Sequence, residues 1–300
     1  MIITEITKIG DPQIVLFEGK YYCYATSSNH FSEGFSVWVS DDLKTWDGPI
    51  PCFSAIKSWG KSHFWAPEVV YHNGKFIMHY SAMSRELNSL RIGVATSDSP
   101  TGPFTDVHNR PMFDFGYAAI DGSALITPEG NFLYYSRDCS ENKKDGINVS
   151  ETYVVRLNDS LTETVGEAYL MTTPTEEYER RSLEELGTLW NEGPTVIPYG
   201  DGYLMNYSAN CYARNTYAIC LATAKSPLGP FHKAKSNPQL SMRGDLFGAG
   251  HNAFFRDKEG KLWTSFHVQT NPEKPSGDRR VVLGEVRFSE IDGVLYEEII

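Results

Sequence analysis

The amino-acid sequence predicts an all-β fold, a five-bladed β-propeller in a single domain over residues 1–300. Three observations predict it. One hairpin pattern occurs five times, a further strand-like segment follows each copy, and aromatic residues are abundant, with 17 Tyr, 16 Phe and 6 Trp. A unit of about four strands in roughly 50–60 residues, repeated in series, is a propeller blade. Flat aromatic faces then fill the wedges between twisted sheets.

The first copy, GDPQIVLFEGKYYCYA from Gly10, has two short strands joined at Glu18-Gly19, followed by VWVSDDLKTW. The second, APEVVYHNGKFIMHYS from Ala66, precedes IGVATSDSPTGPF. The third, DGSALITPEGNFLYYS from Asp121, precedes VVRLNDSLTET, and the fourth, EGPTVIPYGDGYLMNYS from Glu192, precedes ICLATAKSPLGPF. The fifth, HNAFFRDKEGKLWTSF from His251, precedes VVLGEVRFSEIDG. The turn glycines Gly19, Gly74, Gly130, Gly202 and Gly260 lie 8, 8, 9, 10 and 9 positions after residues 11, 66, 121, 192 and 251, where the blades begin. Each copy fits a hairpin of an apolar and an aromatic-rich strand. The longest interval holds an insertion, Thr173 to Gly187, with helical spacing at Tyr178, Leu183 and Leu186. Its early acidic residues and closing glycine predict a short helix, with Glu184 and Glu185 on a solvated face.

Composition narrows the function classes. Apolar residues make up 41% and charged residues 22%, an ordinary globular mixture. A net charge of −11 disfavours nucleic acid and anionic membranes as partners. No apolar run approaches the roughly 18 residues of a spanning helix. The start, MIITEITKIGDP, lacks the basic and apolar regions of a signal peptide. The five cysteines (Cys23, Cys52, Cys139, Cys211 and Cys220) form no CxxC pair and several lie within strand-like runs. Free thiols and a cytoplasmic location are therefore expected. The oligomeric state is not legible.

In a propeller the innermost strand of each blade lines the central channel, and the strand starts converge on one mouth. The five starts carry Asp11, Ala66, Asp121, Glu192 and His251. Asp11 precedes Pro12, a common turn opener on its own. As one of three acids gathered at a mouth it gains another meaning. Like charges in a confined cleft raise one another's pKa, so structure alone does not favour the cluster. The acids could hold a cation or simply be solvated. Two acids of unequal pKa suit general acid/base chemistry, as in glycoside hydrolysis.

The ordered motifs DPQI, HFWAPEV, AIDGS, NEGPT and GAGHN, one per blade, resemble glycoside hydrolase family 43 over nearly the whole chain, from Asp11 to about Phe288. The resemblance implies five-bladed enzymes that invert the anomeric centre of arabinosides and xylosides. It implies Asp11 as general base, Glu192 as general acid, and Asp121 as a third carboxylate tuning and orienting the acid. Trp65 then lies beside the sugar, although a tryptophan there also suits blade packing. His251 matches a channel histidine that in some members helps hold Ca2+ through water; no other cofactor is implied. Many members read GHG where this chain has GHN, which leaves the surroundings of His251 open. One of Arg279 and Arg280 reaches the sugar, and Arg280 is carried as the candidate. Inversion requires acid and base roughly 6.5–9.5 Å apart; about 5 Å fits retention.

The expected substrate is a short oligosaccharide. The chain is too short for the carboxy-terminal sandwich of many family xylosidases, and no export signal points to polymers. The loops SSNHFSEGF and SAMSRELNSL are placed to close a pocket over one terminal sugar. An exo-acting α-L-arabinofuranosidase is the first reading, then a β-xylosidase or dual enzyme, with endo-arabinanase behind. Fructan-cleaving hydrolases are set aside because their NDPNG, RDP and EC tags are missing. A mannoside-phosphorylase-like enzyme would need a cationic phosphate cradle, and a sugar-binding propeller would repeat one pocket per blade. GAGHNA matches a dinucleotide pattern but leads into a strand, not a helix. SDDLKTW lacks the glycine of the Asp-box.

Overall fold

Alternation of apolar residues between glycine turns produces antiparallel strands almost throughout the residues described, 1–27 and 34–300 of a computed structural model. The strands form five antiparallel units. Unit one is Ile9–Phe17, Lys20–Ser27, Gly34–Ser40 and Asp47–Ser54; unit two is Gly60–His72, Lys75–Ser84, Leu90–Ser97 and Thr105–Asp106. Unit three runs Ala119–Thr127, Gly130–Arg137, Ile147–Leu157 and Thr164–Thr172; unit four runs Thr188–Tyr199, Gly202–Ala209, Ala218–Ala224 and His232–Lys233. A short parallel pairing of Asn148–Ser150 with Thr188–Trp190 joins these two into one sheet. Unit five is Gly250–Arg256, Leu262–Gln269 and Arg279–Ile291, its outer edge covered by both Ile2–Thr7 and Val294–Ile299. The first strand of each unit packs on the first strand of the next, and that of unit five packs on that of unit one.

Aromatic side chains fill the space between neighbouring units. Tyr24, Phe35 and Phe53 of unit one share a core with Phe64, Phe76 and Tyr80 of unit two. Tyr134 of unit three meets Phe231, beyond the third strand of unit four, edge to face at 6.2 Å. All five cysteines are free thiols, and only Cys139 is more than slightly exposed. The insertion folds as a 3-10 turn, Glu177–Arg180, then one helical turn, Leu183–Leu186, which stops at Gly187 in the left-handed conformation. Glu184 and Glu185 are exposed.

Each first strand carries a bulge at the same level. Its register with the second strand skips from Gly10 to Gln13, Trp65 to Glu68, Ile120 to Ser123, Glu192 to Thr195 and Gly250 to Ala253. The first extra residue is left-handed every time: Asp11 (φ 53°), Ala66 (44°), Asp121 (61°), Gly193 (57°) and His251 (47°). Such a bulge re-aims side chains at the strand's end. Its N–H donates across to the second strand of the preceding unit. Ala66 donates to Thr26 Oγ1, Asp121 to Ser81 Oγ, Gly193 to Ser136 Oγ and His251 to Ser208 Oγ, at 2.6–3.0 Å. Asp11 donates to His267 Nδ1 at 3.1 Å.

The bulges correct the repeat in its fourth copy. Gly193, not Glu192, is equivalent to Asp11, Ala66, Asp121 and His251. Glu192 stands one residue earlier, level with Trp65. The turn glycine of that copy, 10 positions from Glu192 rather than 8 or 9, carries this offset in the sequence.

Candidate active site

The bulges bring Asp11, Asp121, Glu192, His251 and Trp65 to one cavity of about 290 Å³. Asp11 is the carboxyl that nitrogen groups surround. Arg279 Nη1 donates to Asp11 Oδ1 at 2.8 Å, and His251 Nδ1 and His267 Nδ1 each lie 3.4 Å from that oxygen. Burial pushes the Asp11 carboxyl up, but Arg279 first, with His251 and the Thr26 hydroxyl, outweighs it and holds the carboxyl well below the usual range. Because His267 Nδ1 accepts the Asp11 N–H, its ring proton sits on Nε2. Burial, then Arg279, keeps His267 neutral, far below an ordinary histidine.

Glu192 has the opposite environment. Burial raises its pKa well above the carboxylate range, and the charges of Asp121, Asp138 and Asp11 push the same way. Tyr217 donates its hydroxyl to Glu192 Oε1 at 2.9 Å, which leaves Oε2 to carry the proton. Asp121 Oδ2 accepts from Ser136 Oγ at 2.8 Å and from the N–H of Gly193 at 3.1 Å, so it is tied to the backbone next to Glu192. Burial raises Asp121 too, but His251 and these two donors oppose the rise. The pair thus keeps its proton on Glu192.

Two glycines make room for these contacts. At the level of Trp65 and Glu192, unit one has Gly10 and unit five has Gly250. A Cβ on Gly10 would stand 2.0 Å from Arg279 Cζ, and one on Gly250 would stand 2.2 Å from the Tyr217 ring. Side chains on two units give way so that an arginine and a tyrosine can enter.

Trp65 lines the cavity and also packs with Leu90, Ala118 and Ile120. Arg279 lines the cavity, whereas Arg280, the candidate from the sequence, does not. Successive side chains on a strand point to opposite faces, so only one of the two can enter. Of SAMSRELNSL, Leu90 lines the cavity. Residues 28–33 of SSNHFSEGF lie outside the described residues.

Several cavity residues carry no signal in the repeat. Asp138, whose Oδ1 accepts the Ser140 N–H, Trp190, Tyr212 and Tyr217 come from loops or strand ends. Glu68, just beyond the bulge of unit two and outside the cavity lining, is pushed up to about 7 by burial, against a hydrogen bond from Ser123. His267 has a readable signal. Its level on the second strand reads Thr26, Ser81, Ser136 and Ser208 elsewhere, so an imidazole breaks a run of hydroxyls.

Among the described residues no three His, Cys, Asp or Glu side chains are arranged to hold a metal ion. His251 Nδ1 is turned to Asp11, and the donor set does not form a direct cage for Ca2+. What the side chains do form is a proton-handling pair. A pocket with one carboxylate held ionised, another held protonated and an anion beside the second can accept and supply protons at once.

Residues 6–294 match the sequence model described as Glycosyl hydrolases family 43. A β-D-galactofuranosidase (xynD) of Aspergillus niger is 27% identical over 95% of this chain and 81% of its own. A xylosidase/arabinosidase of Bacteroides ovatus is 25% identical over 74% of this chain and 76% of its own. Among solved structures, a thermostable family-43 glycoside hydrolase superposes with a TM-score of 0.91 at 40% identity, covering 99% of this chain and 94% of the other.

Proposed function

The chain belongs to glycosyl hydrolase family 43 and is a glycosidase; on that footing we propose that it is an inverting, exo-acting α-L-arabinofuranosidase that releases arabinose from short oligosaccharides. The observation that carries the reading is the opposed surroundings of two carboxyls in one cavity, a guanidinium against Asp11 and a buried hydroxyl with neighbouring carboxyls against Glu192. Asp11 is held ionised by Arg279, and Glu192 is held protonated by burial and by Asp121.

In this mechanism Asp11 takes a proton from a water whose oxygen bonds to the anomeric carbon. The glycosidic C–O bond breaks at the same time, and the Glu192 proton passes to the departing oxygen. The products are a sugar of inverted configuration and a neutral alcohol. Asp121 keeps the proton on Glu192 until the leaving oxygen gains charge, and the Gly193 N–H fixes the distance between the two. Trp65 offers an apolar wall to the sugar ring.

A five-bladed propeller is the architecture we infer. Five antiparallel units, the packing of each first strand on the next, and five bulge hydrogen bonds in the same sense support it. Exo action on one terminal sugar is supported by a cavity of about 290 Å³. The second reading, a β-xylosidase or dual enzyme, is favoured by the paired name of the B. ovatus relative. Nitrophenyl arabinofuranoside, xyloside and galactofuranoside, assayed side by side, test the sugar; turnover of the galactofuranoside alone overturns both readings. Proton NMR of the first product tests the stereochemistry, and a retained anomer overturns inversion.

A further inference from the structure

Tyr217 stacks flat on His267, with ring centroids 5.4 Å apart and 8° between the planes. The Tyr217 hydroxyl holds Glu192, and His267 Nδ1 holds the backbone of Asp11. Both rings are buried. The contact therefore runs unbroken from one carboxyl-bearing bulge to the other, through two rigid rings rather than flexible chains. A ring stack resists compression at van der Waals distance and fixes tilt through the aromatic quadrupole. Two further features are shaped for it. Gly250 lacks the Cβ that would strike the Tyr217 ring. The unit five to unit one junction uses an imidazole where the other four use hydroxyls, and a hydroxyl is too small to reach a neighbouring ring.

We propose that the Tyr217–His267 stack is a spacer that sets the separation and relative angle of Glu192 and Asp11, and so matches the cavity to one water between sugar and base. This rests on the acid and base roles given above. Neither ring acts on the substrate; both are positioning residues. The two ends of the spacer serve different groups, so their removal has different signatures. Loss of the Tyr217 hydroxyl frees the acid to rotate. That matters when the leaving oxygen needs its proton and little when it does not. Loss of the His267 ring shifts the Asp11 bulge, which every substrate needs.

The test uses the whole chain carrying Tyr217→Phe, which keeps the ring, or His267→Ser, which supplies the hydroxyl of the other junctions. Substrates are nitrophenyl and alkyl glycosides of whichever sugar the panel shows to be turned over. For Tyr217→Phe we expect kcat to fall about 10–100-fold on the alkyl glycoside and less than about threefold on the nitrophenyl glycoside. For His267→Ser we expect about a 100-fold fall in kcat on both, with KM changed by less than about threefold. Should His267→Ser fail to fold, as read by circular dichroism, His267→Asn keeps an acceptor for the Asp11 N–H without the stack, and the same fall is expected. Equal losses on both glycosides for Tyr217→Phe, or wild-type kcat in the folded His267 variant, overturn the spacer. Asp11→Asn and Glu192→Gln are the controls. Wild-type activity in those variants overturns the roles themselves, whereas inactive controls with an unchanged leaving-group dependence in Tyr217→Phe overturn the spacer alone.

Discussion

Arg279 reaches across from unit five to place Nη1 2.8 Å from Asp11 Oδ1, through space left open by Gly10, where a Cβ would stand 2.0 Å from the guanidinium carbon. The ionised state of Asp11 thus depends on a residue with no side chain. Gly10→Ala is expected to displace Arg279 and lower kcat/KM by tenfold or more, about 1.4 kcal/mol, while the fold survives. Steady-state kinetics beside a thermal melt separate the two effects. Unchanged kinetics would show that Arg279 has another route to Asp11.

Removing the cation itself moves the pH profile. Arg279 lowers the Asp11 pKa, so Arg279→Met raises it. A base of higher pKa becomes protonated sooner as pH falls. The acidic limb of kcat/KM should therefore move to higher pH, and an unmoved limb would argue against Asp11 as the base.

Asp121 acts on the other limb. Its charge raises the Glu192 pKa, so Asp121→Asn lowers it. The acid then loses its proton at lower pH, and the basic limb should move down, with kcat reduced by roughly 10²–10³-fold. A basic limb that stays in place or moves up contradicts this assignment.

Deleting the proposed acid should be visible mainly with poor leaving groups. Glu192→Ala is expected to lose roughly 10²–10⁴-fold on alkyl glycosides and to recover most of its rate on nitrophenyl glycosides. Asp11→Ala should lose activity on both. Measured across a series of leaving groups, parallel losses in the two variants would remove the distinction between acid and base.

Stability has its own pH dependence, remote from the cavity. Glu297, on the last strand, is buried and its pKa is pushed up to about 7, chiefly by burial, against a hydrogen bond from Asn206 Nδ2 at 2.7 Å. The folded chain binds this proton more tightly than the unfolded chain does. The stabilisation is complete below the ordinary carboxylate value of 4.5 and is lost as pH rises through about 7. Its size is up to about 3 kcal/mol. Glu297→Gln should flatten the fall in Tm between pH 5 and pH 8, and an equally steep fall in the variant would place the effect elsewhere.

Much of the site is legible in the sequence because repetition marks equivalent positions. Asp11, Asp121 and His251 stand at three copies of one bulge, and aligning hairpins finds them without coordinates. Hairpin spacing puts Glu192 one residue off its true level, because it cannot place the residue that a bulge adds. Arg279 and Arg280 are equivalent to any pattern of period two until the face of the strand is known. Tyr217 and His267 are hidden for another reason. They act through contacts between units: the imidazole of His267 stands out in a run of hydroxyls, but nothing local in NTYAIC or TSFHVQ announces that the partner of each lies 50 residues away in sequence.

The junction holding Asp11 is also the one that joins the earliest strands to the latest. Asp11 meets His267 and Arg279 across 256 and 268 residues of sequence. Contacts of such range form late, after the local hairpins. A refolding chain should regain its tryptophan fluorescence first and its turnover only in the final phase, so that enzymatic rate serves as a clock for the last event in assembly.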